Sequence, residues 1–267
     1  MKTILITGSN SYVGTSFEKW LKTNQKKINV KKLSVRNNEW MHHEFNSYDT
    51  ILHAAALVHE SEKGKTLEEY LIVNTVLTKK LAIKAKAEGV KHFIFLSSMA
   101  VFGEESDALK MVTITPETNP VPSTLYGHSK LEAENELLKL EDSSFSITII
   151  RPPLIYGANC PGNFSRLNNI STKISFFPYI KNSRSMINIE DLSEVIYQSI
   201  QEKKTKIIHP QDKEYMNTSI LIKKLGILNG RKINLIYMDF WIVKFFINKS
   251  TLLKKVFGNL VYSKEEK

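Results

Sequence analysis

Apolar residues recur along this chain in two alternating rhythms. Short runs of branched and aromatic residues, at 2–7, 28–35, 48–56, 90–98 and 146–151, have the length and composition of buried strands. Between them, apolar residues return every three or four positions. One such stretch runs through Phe17, Trp20 and Leu21. A second spans 66–89 through Leu67, Tyr70, Leu71, Val73, Leu77, Leu81 and Ala85, and a third includes Leu131, Ala133, Leu137 and Leu138. That spacing lays an apolar stripe along a helix. Regular alternation of strand and helix predicts an α/β fold with a doubly wound parallel sheet. Residues 40–45 are too few to separate a third strand from a turn. From Gly157 the alternation becomes irregular, which predicts a smaller mixed lobe. There Glu190 and Asp191 mark the start of a helix running to about Glu202, and 207–210 a last strand. The expected organisation is a dinucleotide-binding domain over 1–156 and a substrate-binding lobe over 157–267, with an approximate boundary where the two can interleave.

The first strand stops at Gly8-Ser9-Asn10-Ser11-Tyr12-Val13-Gly14, where helix periodicity begins. Gly8 permits a sharp turn and Gly14 permits the helix to pack close to the strand. The N–H groups from Asn10 to Val13 then face a pyrophosphate, as in a Rossmann-type dinucleotide entry. Ser11 stands where the usual pattern has a middle glycine. The third strand ends in Ala54, Ala55 and Ala56, whose small side chains allow a cofactor to approach. Asn74 lies inside the long helical stretch, either solvated or holding loop backbone near the cofactor. After the second strand, Ser34-Val35-Arg36-Asn37 offers no carboxylate for a ribose 2′-OH, whereas the Arg36 guanidinium suits a 2′-phosphate. NADP(H) is the favoured cofactor and NAD(H) the alternative.

Ser97 and Ser98 end the fourth strand, at the sheet edge where ligands of open α/β sheets collect. Tyr126 and Lys130 are four apart, so on a helix they project from one face. An ammonium beside a phenol favours the phenolate, and this spacing therefore predicts a lowered tyrosine pKa suited to proton exchange.

Composition narrows the reading further. The 267 residues carry 42% hydrophobic and 24% charged side chains, as in globular proteins. The net charge of +10 raises the question of nucleic acid. The basic residues are spread widely, however, with local clusters at 22–32, 79–91 and 244–255. They lack zinc-finger spacing or an RNA-binding aromatic signature, so no nucleic-acid partner is expected. A general attraction to anions, such as nucleotide diphosphates, remains. Cys160 is the single cysteine, which excludes an intrachain disulfide and a cysteine metal cluster. His42 and His43 have no further ligands nearby, and no metal is expected. The first apolar run is too short for a secretory signal and none reaches transmembrane length, so a cytoplasmic location is expected. The tail over 241–262 mixes aromatic and aliphatic residues with Lys244, Lys249, Lys254 and Lys255. It suits a packed helix, or a basic amphipathic segment in peripheral contact with a membrane.

Taken in order, Thr7-Gly8-x-x-Ser11-x-x-Gly14, His53-Ala54-Ala55-Ala56, Ser98 with Val101-Phe102-Gly103, Tyr126-x-x-x-Lys130 and Arg151-Pro152-Pro153-Leu154-Ile155-Tyr156-Gly157 resemble the extended short-chain dehydrogenase/reductase family of nucleotide-sugar epimerases, dehydratases and reductases. The resemblance covers roughly 1–210. It implies Tyr126 as acid/base, Lys130 as its partner, Ser98 as donor to the substrate oxygen and Pro153 at the cofactor. It also implies Asn163 and Arg184 as contacts to a UDP-sugar, and a homodimer through the helices at 66–89 and 124–140. Residues 54–59, 160–164 and 257–260 are similar to reductases of capsule and O-antigen synthesis. Those enzymes act on UDP-linked 4-keto-6-deoxy amino sugars. A 4-epimerase is the alternative activity, and a non-catalytic cofactor-sensing regulator the alternative of another class. Where the family's dehydratases carry Asp-Glu after the catalytic hydroxyl, this chain has Met99 and Ala100, which cannot shuttle protons.

Overall fold

The computed structural model of the protein describes residues 1–58, 64–103, 111–237 and 256–264. Two compact units share the chain. The first consists of Met1–Gly103, Pro120–Pro153 and Asn188–Pro210, and the second of Glu104–Asn119, Leu154–Ile187 and Gln211–Lys267.

The first unit is built on six parallel strands: β1 (Lys2–Thr7), β2 (Ile28–Leu33), β3 (Thr50–His53), β4 (His92–Leu96), β6 (Ser146–Ile150) and β10 (Lys206–Ile208). Their spatial order is β10-β6-β4-β3-β1-β2, and every registered pair is parallel. The sequence runs are fully apolar because helices cover both faces of the central strands. Leu5, Ile51, Phe93, Phe95, Ile147 and Ile149 face one layer, which holds α3 (Leu77–Ala87) and α4 (Leu125–Leu138) through Leu81, Ala85, Ala133 and Leu137. On the unit's remaining helical layer, α1 (Tyr12–Thr23) packs against α6 (Ile189–Glu202). Full burial of each such side chain contributes roughly 1.5–3 kcal/mol.

Two local expectations change. Residues 40–45 form neither strand nor simple turn: a 3-10 helix, Asn38–His42, buries Trp40 in the core with Leu5 and Ile51. The long helical stretch is not one regular helix. A capping box of Thr66 and Glu69 starts α2 (Leu67–Tyr70), the ladder widens to a π-helical segment over Leu71–Val76, and α3 follows. Asn74 and Thr75 are buried in this wider turn, and Asn74 falls within the apolar stripe, four residues after Tyr70 and three before Leu77. The cap of α6 is Asn188, which accepts from the Glu190 N–H; Glu190 and Asp191 occupy the first turn.

The second unit contains β5 (Val112–Ile114), β7 (Leu154–Tyr156), α5 (Asn163–Ser171), β8 (Phe176–Tyr179), β9 (Met186–Asn188), α7 (Thr218–Leu228), β11 (Asn234–Tyr237) and β12 (Leu260–Tyr262). Its strands pair two by two, β11 with β8, β12 with β5 and β7 with β9. Leu167, Leu221, Ile222 and Leu225 bind α5 to α7. Most of the basic apolar tail lies outside the described residues; its end at 260–262 is the strand β12. Among the described residues, no helix is long and apolar enough to cross a membrane.

Candidate active site

The chain runs from β2 on one side of β1 to β3 on the other, which opens a crevice beyond the carboxyl ends of β1 and β3. A cavity of ≈ 800 Å³ lies there. Gly8, Ser9, Asn10 and Ser11 line it after β1, and Ala54, Ala55, Ala56 and Leu57 line it after β3. Arg36 and Asn37 contribute from beyond β2, and Ile72, Val76 and Lys80 from the opposite helical wall. Gly8 adopts φ +90°, and a Cβ there would stand 2.8 Å from the Ala55 backbone nitrogen. Glycine is thus required for the two strand ends to lie side by side. At Gly14 a Cβ would stand 2.6 Å from Ser11 Oγ. Ser11, at the middle-glycine position, caps α1 by accepting from the Gly14 N–H at 3.1 Å. Tyr12, Val13 and Gly14 form the first turn of α1, behind the residues that line the cavity. Among the described residues, no lining residue is acidic, and the two charged ones, Arg36 and Lys80, are cations. Shape, glycine turn and charge all fit a dinucleotide.

Asn74 is fully buried and holds loop backbone. Its Oδ1 accepts from Leu57 N–H at 2.8 Å, and its Nδ2 donates to Leu57 O at 3.0 Å and to Ser129 Oγ at 2.9 Å. Ser129 in turn donates to the carbonyl oxygen of Tyr126 at 2.8 Å. One amide side chain therefore ties the cavity wall after β3 to the helix that carries Tyr126 and Lys130.

Ser98, Tyr126 and Lys130 converge at the carboxyl end of β4. Thr124 caps α4 by accepting from the Gly127 N–H, which sets Tyr126 in the helix's first turn. Gly127 is needed there because a Cβ would collide with the carbonyl oxygen of Ala100. Tyr126 is hydrogen-bonded to Ser98, whose Oγ also accepts from the Ala100 N–H at 3.1 Å. Lys130 is 1% exposed. Its Nζ donates to Leu96 O at 2.7 Å and stands 4.2 Å from the centre of the Phe95 ring and 6.0 Å from that of Tyr126. The electrostatics differ from the sequence expectation of a lowered phenol pKa. Burial pushes Tyr126 up to about 12, with the Ser98 hydrogen bond opposing and Tyr70 adding to the rise. Burial also brings Lys130 down to about 7, against the pull of Glu134. Desolvation dominates at both groups, and the ammonium gives its hydrogen bond to the Leu96 carbonyl beside the Phe95 ring.

A family model described as the NAD dependent epimerase/dehydratase family matches residues 4–209. The chain belongs to this family. A UDP-glucose 4-epimerase of Vibrio cholerae is 30% identical over 285 residues, which cover 97% of this chain and 86% of that protein. Among solved structures, dTDP-4-dehydrorhamnose reductase of Bacillus anthracis in complex with NADP matches with a TM-score of 0.77 at 17% identity, covering 100% of this chain and 91% of its own. UDP-N-acetylglucosamine 4-epimerase of Bacillus cereus matches with a TM-score of 0.73 at 15% identity, covering 90% and 86%. At such identities the solved structures establish the fold, a Rossmann-like α/β sheet. Membership of the epimerase/dehydratase family makes the chain an NAD(P)-dependent enzyme of nucleotide-sugar epimerase/reductase type.

Within this family member, other expected residues are not among those that line the cavity. Pro153 closes the first unit's segment after β6 and is not among the lining residues. Asn163 and Arg184 belong to the second unit. Asn163 opens α5 after Gly162, and Arg184 bridges by backbone to Met216 and donates from Nη1 to Val256 O at 3.4 Å. Sequence reading missed the support beneath Ser98. Glu134 is 1% exposed and receives Ser97 Oγ–H together with Arg151 Nε and Nη2, the last at 2.6 Å. Arg151 also lies 5.0 Å from the Phe102 ring, and the pair fixes the end of β4 against α4 and β6. The only signal for it was a glutamate on the apolar side of a helix, four residues after Lys130.

Proposed function

We propose that the protein reduces the C4 ketone of a nucleotide-linked 4-keto-6-deoxy-N-acetylhexosamine, with UDP as the nucleotide and NADPH as the reductant, for synthesis of a surface polysaccharide. The observation that carries this reading is the Ser98–Tyr126 hydrogen bond, with the phenol held protonated. A phenol that keeps its proton is an acid at rest, as a reductive step requires. The nicotinamide supplies the hydride. Tyr126 gives its proton to the oxygen that becomes alkoxide, Ser98 donates to the same oxygen, and the Lys130 ammonium adds positive charge nearby. Arg36, on a cavity wall with no carboxylate among the described residues, supports the 2′-phosphate of NADP(H) over the diol of NAD(H). Met99 and Ala100 beside Ser98 offer no groups for elimination of water. Asn163 and Arg184 are read as contacts to the sugar and its diphosphate, and Pro153 as packing at the nicotinamide. A cytoplasmic homodimer, with the basic tail at a membrane surface, completes the reading.

A second reading, 4-epimerisation of a UDP-hexose, is favoured by the similarity of nearly the whole chain to the Vibrio cholerae enzyme. One experiment separates the two. Purified protein is mixed with NADPH or NADH and the 4-keto-6-deoxy sugar nucleotide generated in situ, and reduced cofactor is followed by its near-ultraviolet absorbance. Stoichiometric loss of NADPH, abolished in Tyr126→Phe with cofactor binding retained, is expected. Persistence of both cofactors together with interconversion of UDP-hexoses by NMR would establish the epimerase instead. Full activity in the Phe variant would overturn the assignment of Tyr126.

A further inference from the structure

His53 ends β3 and is fully buried in the first unit, and the proposed reaction assigns it no part. Its two ring nitrogens are both engaged. Nδ1 lies 2.6 Å from Thr7 Oγ1 and Nε2 lies 2.9 Å from Thr78 Oγ1. The direction of each bond follows from proton counting. Thr78 has one hydroxyl proton and donates it to the carbonyl oxygen of Asn74 at 2.6 Å. Its oxygen must therefore accept from His53 Nε2–H. A neutral ring has one N–H, so Nδ1 accepts from the Thr7 hydroxyl. The chain continues from the Asn74 side chain to Ser129 Oγ, and from the Ser129 hydroxyl to Tyr126 O.

We propose that His53 is a positioning residue, fixed as the neutral Nε2–H tautomer, that transmits the placement of the glycine turn to the helix carrying Tyr126 and Lys130. Thr7 immediately precedes Gly8, so one end of the chain of hydrogen bonds is the cofactor turn. The other end is the backbone of the proposed acid. Asn74 lies between them and also fixes Leu57 in the cavity wall. The ring's other neighbours favour the uncharged form. The ring stacks on Phe95 at a centroid separation of 5.9 Å and tilts towards Phe93, and the Lys130 ammonium over the same Phe95 ring opposes a second positive charge. The opposite tautomer would set a bare Nε2 against the Thr78 oxygen, two acceptors face to face, unless Thr78 gave up its bond to Asn74 O, and a charged ring would force the buried Thr7 hydroxyl to turn its proton away from Nδ1.

The functional consequence rests on the reading of Tyr126 and Lys130 as the acid and its partner, whereas the tautomer does not, and the test separates them. Long-range nitrogen–proton NMR on protein labelled at its seven histidines, with His53 assigned by its loss in His53→Phe, reads the ring directly. A neutral Nε2–H pattern unchanged from about pH 8 to about pH 5 is expected. An Nδ1–H pattern, or titration within that window, would overturn the proposal. The coupling is then read from NADPH affinity by fluorescence in His53→Phe, Thr78→Val and the double variant. Each single change should weaken binding about 10-fold and the double change no further, since both cut one chain. Additive losses would overturn the transmission while leaving the tautomer intact. Absence of cofactor binding by the unaltered protein would defeat the proposed function and leave the NMR result standing.

Discussion

Lys130 donates its ammonium proton to the carbonyl oxygen of Leu96 at 2.7 Å, so the lysine is tied to the end of β4 rather than to the phenol one helical turn away. Its pKa, near 7, is the lowest point of a sequence of effects: burial lowers it and the Glu134 carboxylate, four residues on, raises it. The folded-state value lies below the ordinary 10.5, so the lysine is half charged at about pH 7 and loses its charge as pH rises through that point. Tyr126, pushed up to about 12, keeps its proton throughout. The kcat/KM for reduction should therefore fall as pH rises through about 7, and Lys130→Arg, whose charge persists, should remove that limb. A wild-type profile flat to about pH 9 would contradict the coupling.

Asn74 makes three hydrogen bonds with no exposure to water, and loss of its side chain strands both polar groups of Leu57 and removes the donor to the Ser129 oxygen. Asn74→Ala should cost about 1–3 kcal/mol in urea unfolding and weaken cofactor binding more than it weakens binding of a free sugar nucleotide. Asn74→Asp keeps the acceptor for Leu57 N–H and loses both donors, so it should fall between Ala and wild type in cofactor affinity only if the carboxylate takes up a proton. Measured against pH, its affinity should improve towards acid.

Local chemistry was the most legible part of the chain. The strand at 2–7, the turn at Gly8 and the helix after it are set by neighbours in sequence, and the spacing of Tyr126 and Lys130 by one helical turn. Ser11 looked like a lost glycine and is a helix cap, because its hydroxyl reaches only three residues ahead. The contents of the 66–89 stretch were hidden, since the π-helical segment Leu71–Val76 is little more than one turn long, too short to change the apolar spacing on either side by more than about one residue. Partners distant in sequence were hidden too. Glu134 sits on the apolar side of its helix, but its partner shows only when Arg151, just after the following strand, is folded against it. The pKa of Tyr126 was misjudged for the same reason: spacing reveals a neighbouring ammonium, but neither its direction nor the burial of both groups.

Arg151 and Glu134 form a buried ion pair, at 7% and 1% side-chain exposure, with Ser97 as a third member. Such a pair contributes little net stability against a well-packed apolar substitute, but breaking it leaves an uncompensated charge. Arg151→Met alone should therefore destabilise by about 3–5 kcal/mol, and Glu134→Leu combined with Arg151→Met should recover most of that loss in thermal or urea unfolding. Activity should not recover with it. Ser97 loses its acceptor in the double variant, and Ser98, the next residue, loses the support that holds its hydroxyl against Tyr126. A double variant as active as wild type would show that the pair serves packing alone.

Two buried histidines make the fold sensitive to acid. His53 and His92 are both fully buried, and burial pushes each from 6.5 to about 3, with Lys130 contributing at His53 and Lys203, Lys2 and Lys206 at His92. His92 Nε2 lies 2.8 Å from Thr148 Oγ1, whose proton goes to Lys204 O, so this ring too is an Nε2–H donor. Its Nδ1 is buried without a partner among the described residues, which adds to the cost of any rearrangement there. In the unfolded chain both rings take up protons below about pH 6.5, whereas in the folded protein they stay neutral down to about 3. Folded-state values below the unfolded value mean that stability is intact above about pH 6.5 and is lost as pH falls from there. At pH 5 the loss is about 2 kcal/mol for each ring. His209, lowered to about 4 by burial and Arg151, adds a comparable loss, so urea unfolding at pH 7 and pH 5 measures the sum of all three, and His92→Asn or His53→Phe, if folded, should each remove about a third of the difference between the two. An unfolding free energy that does not change between these pH values would mean that neither histidine is buried as the neutral ring.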